Sequence, residues 1–311
     1  MSQEARCAVG VDVGGTRTSV AVVSEAGTIV CLRREVTPRE AGAEATLPLI
    51  CRLIRETLAG TDACPVGIGV GFGGPVDYGA QRVRRSNHAP GWSDTEPTRR
   101  LGKEFGLPAW LENDANAGGL AEVLYGAARG AQDALYVNVG TGVGGAVILR
   151  GRVHHGAHSN AGEFGHMVID PLGPPCPCGR RGCVEVLCSG DAIGRMARES
   201  WAGEGPCPGG RGVGELAVAG DRWALDIVGR AAAEMGRAIS IACNLWDPDV
   251  VVLGGGVPEM GEAYLAPVRE SFARHAMDCI AHATPILGAC LGYDAGVIGA
   301  AAVAMQASPQ Q

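Results

Sequence analysis

The sequence predicts an α/β protein of two lobes with a cleft between them, and three observations carry that expectation. At 311 residues the chain exceeds the commonest domain size and is comfortable for two cores. Apolar runs of strand length alternate with segments of helical period along most of it. A strand, glycine turn and strand near the N-terminus is echoed near residue 140, which points to a duplicated architecture.

Taken in order, the apolar run over residues 7–23 is broken by Asp12-Val13-Gly14-Gly15-Thr16, as two strands of a hairpin would be, and a third strand is expected over 28–34. A helix is expected over 43–58, because Leu47, Ile50, Leu53, Ile54 and Leu58 fall on one face. Residues 66–72 read as a buried strand ending at Gly73-Gly74-Pro75. The polar, Gly- and Pro-containing stretch 78–99 predicts loops that approach a ligand. A short strand over 107–112 then delivers Asn113 and Asp114 to a helix over 115–128.

The second half opens with a strand over 134–139, a glycine turn over 140–145 and a strand over 146–149. Helices are expected over 191–201 and 221–244, then a strand over 250–253, a glycine turn at Gly254-Gly255-Gly256 and a helix after Pro258. Small side chains over 295–305 suit a final helix that packs closely, back on the first lobe.

Composition excludes several partners. A net charge of -7 argues against nucleic acid and anionic membranes, and leaves small molecules. No export signal or stretch of membrane-spanning length is apparent, so a cytoplasmic location with reduced thiols is expected for the 12 cysteines. The 49 glycines follow no repeat, so they mark turns and close backbone approaches.

Glycine turns leave backbone N–H groups free to face phosphate. Asp12, heading the first turn, suits a hydrated magnesium ion, and Thr16 and Arg17 suit phosphate. A plain hairpin explains either of the first two turns alone equally well. The third, Gly254 to Gly256, has a strand–turn–helix setting in which adenosine could lie against bare backbone. Phosphoryl transfer to a hydroxyl needs a carboxylate to accept its proton, and Asp114 fits that role; it also fits the N-cap of the helix after it. Asn113 beside it offers both a donor and an acceptor to sugar hydroxyls.

His166, Cys176, Cys178 and Cys183 form H-x9-C-x-C-x4-C, one nitrogen and three sulfurs, which is a structural zinc set with no open position. Pro177, Gly179 and Gly182 supply its sharp turns. The acidic Glu163 and Glu185 flank the cluster, and His166 has a second ring nitrogen to offer a ligand. His154, His155 and His158 read as loop residues, and the remaining cysteines as small core or surface residues.

Six ordered motifs, DVGGT at 12–16, ENDANA at 112–117, GTGVGG at 140–145, AGEFGH at 161–166, CPCGRRGCVE at 176–185 and LGGG at 253–256, resemble those of the ROK family of repressors and sugar kinases over nearly the whole chain. The resemblance implies an actin-like, ribonuclease-H-like fold with a smaller lobe of residues 1–113 plus about 296–311 and a larger lobe of 114–295. It implies a kinase acting on a hexose, glucose first, at the 6-hydroxyl with MgATP. Asp114 would be the base, and Asn87, Asn113, Asp114, Glu163, His166 and Glu185 would hold the sugar. Asp12, Gly14, Gly15, Thr16, Arg17, Thr141 and Gly142 would meet phosphate and magnesium, Gly254, Gly255 and Gly256 the adenosine, and the four-residue cluster zinc.

Asn87 precedes Gly91-Trp92 as in the family's glucokinases, although its Ser-Asn-His-Ala lead-in departs from their usual Pro-Asn-Leu. Arg17 stands where lysine is frequent. N-acetylmannosamine and N-acetylglucosamine kinases share every motif, and polyphosphate replaces ATP in some relatives. A sugar-sensing repressor would need a helix-turn-helix domain ahead of DVGGT, for which the few preceding residues leave no room. A homodimer or homotetramer is the expected assembly.

Overall fold

The computed structural model describes residues 6–38, 40–84, 86 and 90–308. They fall into two compact units. The first is assembled from Met1–Arg129, Gly151–Ala161 and Tyr293–Gln311, and the second from Gly130–Arg150 and Gly162–Gly292.

In the first unit, β1 (Cys7–Val13) and β2 (Arg17–Ser24) pair antiparallel around the first glycine turn, and β3 (Ile29–Val36) pairs antiparallel with β2. After α1 (Gly42–Ala59), β4 (Ile68–Phe72) joins β1 in parallel. A small hairpin of β5 (Val76–Asp77) and β6 (Arg82–Val83) precedes α2 (Pro97–Phe105). Next, β7 (Ala109–Asn113) joins β4 in parallel and runs without a loop into α3 (Asp114–Tyr125). The sheet order is β3-β2-β1-β4-β7.

The second unit repeats the plan. β8 (Ala134–Val139) and β9 (Val143–Leu149) form the second hairpin. The short β10 (Arg152–Val153) follows, within the stretch assigned to the first unit. Helices α4 (Val184–Cys188), α5 (Gly190–Ser200), α6 (Gly209–Val218) and α7 (Arg222–Trp246) lead to β11 (Val250–Gly254), parallel to β8. After α8 (Glu262–His275) and α9 (Asp278–Ala283), β12 (Ile286–Gly288) lies parallel to β11, giving the run β9-β8-β11-β12. The last helix, α10 (Ala295–Ala307), returns to the first unit.

The alternation of each strand sorts its neighbours. Val9, Val11 and Val13 of β1 share a core with Val20, Val22 and the apolar face of α1, where Ile50, Leu53 and Ile54 are at most 1% exposed. Burying each such side chain contributes roughly 1.5–3 kcal/mol. The opposite face of β1 receives α10, and glycine makes that approach possible. A side-chain carbon at Gly10 would lie 2.0 Å from the Val297 carbonyl oxygen, and one at Gly69 would lie 1.7 Å from that of Ala300. The alanines of α10 complete the contact, so the expectation of small residues packing closely holds.

Three expectations about elements are corrected. Residues 97–105, of which only 97–99 fall in the expected loops and the rest had no element assigned, form α2; the stretch is mostly polar, and proline at its start and left-handed Gly106 at its end are ordinary helix limits. The second glycine turn is shorter than read, because Gly144 and Gly145 lie inside β9, paired with Asn138 and Val137. A side chain at Gly145 would meet the Gly162 carbonyl and Phe164 at 2.7 Å, so glycine there serves packing. Pro258 opens only a 3-10 turn, and α8 begins beyond Gly261, whose φ of 62° interrupts the helix. Among the described residues, no helix is long and apolar enough to cross a membrane.

Candidate active site

The junction of β7 and α3 sets two of the candidate residues side by side. Asn113 has extended backbone, and its Oδ1 accepts from the Ala115 and Asn116 amides at 2.9 and 3.2 Å, so Asn113 and not Asp114 is the N-cap. Its Nδ2 donates to the Gly74 carbonyl at 3.1 Å. Asp114, the helix's first residue, accepts from the Ala115 amide through Oδ1 at 2.9 Å and has Oδ2 facing Gly73.

The sheet register places Asp12, Gly71 and Glu112 in one row across β1, β4 and β7. Asp12 also lies against the first turn of α10, where a side chain at Gly296 would come within 3.1 Å of both its carboxylate oxygens. Burial, and then the Asp114 carboxylate, push the Asp12 pKa up to about 7, with Arg34 opposing. Burial lifts Asp114 to about 6 against the hydrogen bonds it accepts from the Ala115 amide, its own amide and the Asn113 side chain. Neighbouring carboxylates that resist joint ionisation are a donor set that a hydrated divalent cation relieves, so these residues fit magnesium. In the turn itself, the Gly14 amide donates to the Arg17 carbonyl at 3.0 Å and Thr37 Oγ1 donates to the Gly14 carbonyl at 2.8 Å. Gly15, Thr16 and Arg17 are exposed at its tip. Asn87 lies outside the described residues.

In the second unit, Glu185 Oε2 accepts from the Val143 amide at 3.1 Å, and a side chain at Gly142 would sit 2.5 Å from that same oxygen. Glycine at 142 is thus what lets Glu185 reach the turn, where Thr141 is exposed. The start of α5 abuts the turn too, with the Gly190 amide donating to the Gly140 carbonyl at 2.8 Å. Of the third turn, Gly254 and Gly255 are demanded by the fold: side chains there would meet the Tyr136 hydroxyl at 2.4 Å and the Val139 carbonyl at 2.5 Å. Gly256 faces open space, so its backbone is bare on that side.

The ligand atoms of His166, Cys176, Cys178 and Cys183 all lie within 4.8 Å of one another, and the cysteines are unbridged. His166 Nδ1 is 3.8 Å from Cys176 Sγ, and Cys178 Sγ is 3.6 Å from Cys183 Sγ. Tetrahedral zinc with bonds of about 2.0–2.3 Å would space its ligands by roughly 3.5–3.8 Å, so the donor set and its spacing fit zinc. Nδ1 is the ring nitrogen turned to Cys176 Sγ. Glu163 immediately precedes the 3-10 turn Phe164–His166 that carries the histidine.

One residue of consequence was not singled out by the sequence. His155, read as a loop histidine, has Nε2 at 2.6 Å from Oε2 of Glu112, which is 1% exposed, and its ring stacks on Tyr78 with centroids 3.6 Å apart. A glutamate following the buried Leu111 within a strand was the available signal, since a buried carboxylate needs a partner. Nothing local to residue 155 identified which.

Against known proteins, the ROK family model matches residues 8–307. A glucokinase of Thermotoga maritima is 35% identical over 306 residues, 95% of this chain and 96% of that protein. An N-acetylmannosamine kinase of Citrobacter koseri is 33% identical, over 94% of this chain and 97% of its own. Among solved structures, a ROK family glucokinase from Streptomyces griseus in complex with glucose and AMPPNP superposes with a TM-score of 0.81 at 32% identity, covering 96% of this chain and 99% of that one.

Proposed function

The chain belongs to the ROK family, and on that premise we propose that it is an ATP-dependent sugar kinase that phosphorylates the 6-hydroxyl of a hexose, glucose first, with Asp114 as general base. The observation that carries the reading is the state of Asp114. It stands at the β7–α3 junction with capping handed to Asn113 and a pKa of about 6, low enough to be ionised at neutral pH and high enough to take a proton.

In this reading the 6-oxygen attacks the terminal phosphorus of ATP, a new P–O bond forms as the bond to ADP breaks, and the hydroxyl proton passes to the Asp114 carboxylate. Asn87, Asn113, Glu163, His166 through Nε2, and Glu185 hold the sugar hydroxyls. Gly14, Gly15, Thr16, Arg17, Thr141 and Gly142 receive the phosphates, and Gly254 to Gly256, bare at Gly256, receive the adenosine. Asp12 would hold the magnesium that accompanies ATP and neutralises phosphate charge. His166, Cys176, Cys178 and Cys183 would hold zinc, which fastens the loop bearing His166.

The similarity to the glucokinases of Thermotoga maritima and Streptomyces griseus favours glucose. The nearly equal identity to an N-acetylmannosamine kinase makes that sugar the second reading. ADP release should be followed with MgATP and, separately, glucose, mannose, N-acetylmannosamine and N-acetylglucosamine. Glucose turnover that falls by about 10²–10⁴ in Asp114→Asn is the expected result. Silence on every sugar, or an undiminished variant, would refute the proposal.

A further inference from the structure

We propose that His155 is a positioning residue for the Asn113–Asp114 junction, acting through its hydrogen bond to buried Glu112. The kinetic consequence rests on the kinase reading above; the structural one does not.

Glu112 closes a small network. Its Oε1 accepts from the Asn113 amide at 2.9 Å and from Asn116 Nδ2 at 2.8 Å, so one oxygen holds the last residue of β7 and the first turn of α3 together. The other oxygen, Oε2, faces His155 Nε2 at 2.6 Å. A carboxylate only accepts, so Nε2 carries the hydrogen. A carboxylate 1% exposed that lacked this donor would be left half unsatisfied, and would turn or draw in water. Either response moves the oxygen that fixes the Asn113 amide. His155 is itself held, because its ring stacks on Tyr78 at an interplanar angle of 14°.

The stretch that carries His155 is fastened at further points. The Tyr78 amide donates to Ser159 Oγ at 3.2 Å, and Arg84 donates to Asn160 Oδ1 at 3.0 Å and to the His158 carbonyl. Thus Gly151–Ala161 is tied both to the β5–β6 hairpin and, through Glu112, to the β7–α3 junction. The chain positions matter. Arg84 is three residues before Asn87, Glu112 immediately precedes Asn113 and Asp114, and the stretch runs directly on into Glu163 and His166. Of the residues proposed to grip the sugar, all but Glu185 therefore lie close in sequence to an anchor of this one stretch.

The test compares two substitutions of similar bulk. In His155→Gln the side-chain nitrogen can stand where Nε2 stood; in His155→Asn it stands nearer the position of Nδ1, out of reach of Glu112. Amide hydrogen exchange is measured at Asn113, Ala115 and Asn116 in all three proteins, with zinc content and melting temperature as folding checks. Initial rates are measured on the sugar that the wild type phosphorylates.

The expected result is faster exchange at Asn113 and a kcat about 10- to 100-fold lower in the Asn variant, with the KM for ATP unchanged and the Gln variant restoring both. Identical exchange in the two variants and the wild type overturns the proposal, whatever the kinetics. Faster exchange with an unchanged kcat overturns it as well, since the contact would then position nothing the reaction uses. If the wild type phosphorylates no sugar, the kinase reading fails separately, and the exchange comparison alone decides whether His155 fixes the junction.

Discussion

Asp12 is ionised against the preference of its surroundings, and Asp12→Asn should turn that into a measurable gain in stability. In the fold its pKa rises from the ordinary 3.8 to about 7. Below pH 3.8 folded and unfolded chains both carry the proton, so burial of the carboxyl brings no ionisation penalty. As pH climbs from there to about 7, the unfolded chain releases the proton and the folded one resists, and stability is lost; above that the penalty is complete. At about 1.4 kcal/mol per tenfold change the full penalty is at most about 4 kcal/mol. The carboxylate retains some contact with solvent, and screening reduces the expectation to about 2 kcal/mol. Asparagine keeps the shape and is neutral at every pH. Urea unfolding of both proteins without divalent cations should therefore show the variant more stable near pH 8, with less than half of that gain near pH 5. If Asp12 holds the cation as proposed, adding MgATP should erase the advantage, since only the wild type would then bind it. A variant no more stable near pH 8, or equally favoured at both pH values, would refute the account of Asp12.

Other outcomes follow from the same geometry. Raised to about 6 by burial, Asp114 should make kcat/KM climb with pH through about 6 and then level off; a profile that is flat from pH 5 to 8 would remove it as the base. Gly69→Ala places a carbon 1.7 Å from the Ala300 carbonyl oxygen and should cost about 3 kcal/mol in urea unfolding, whereas the same change at Gly256, which faces open space, should cost under about 1 kcal/mol. The purified protein should contain equimolar zinc by atomic emission. Cys183→Ser should lose it and melt several degrees lower, since Cys183 is fully buried within the cluster.

The sequence was most legible where one physical requirement controls a long segment. The α1 face, both glycine hairpins and the His–Cys cluster each follow from a period or a donor set that few other structures satisfy. It was least legible where a residue's partner is distant in the chain. His155 and Glu112 are 43 positions apart, and no local pattern joins them. Asn113 and Asp114 are both good caps, and only the extended backbone at 113 decides between them. Likewise α2 is short and mostly charged and polar, so its apolar side, with Leu101 buried, is thin in the sequence. Glycines were also ambiguous as a class, since Gly145 and Gly254 serve packing inside strands while Gly256 leaves backbone uncovered.

The glycine-mediated seat of α10 on β1 and β4 has a consequence for how the protein is made. β1 is synthesised long before α10, so Gly10 and Gly69 meet their partners, the carbonyls of Val297 and Ala300, only once that helix has been made. At 5–20 residues per second, the wait from residue 129 to residue 307 is roughly 10–40 s. For that interval the α10-facing side of the first sheet has no final cover, and Asp12 stands without the helix turn that crowds it. β1 is thus finished by a helix made much later in the same chain, and a nascent chain that stops short of α10 should be the species that chaperones hold.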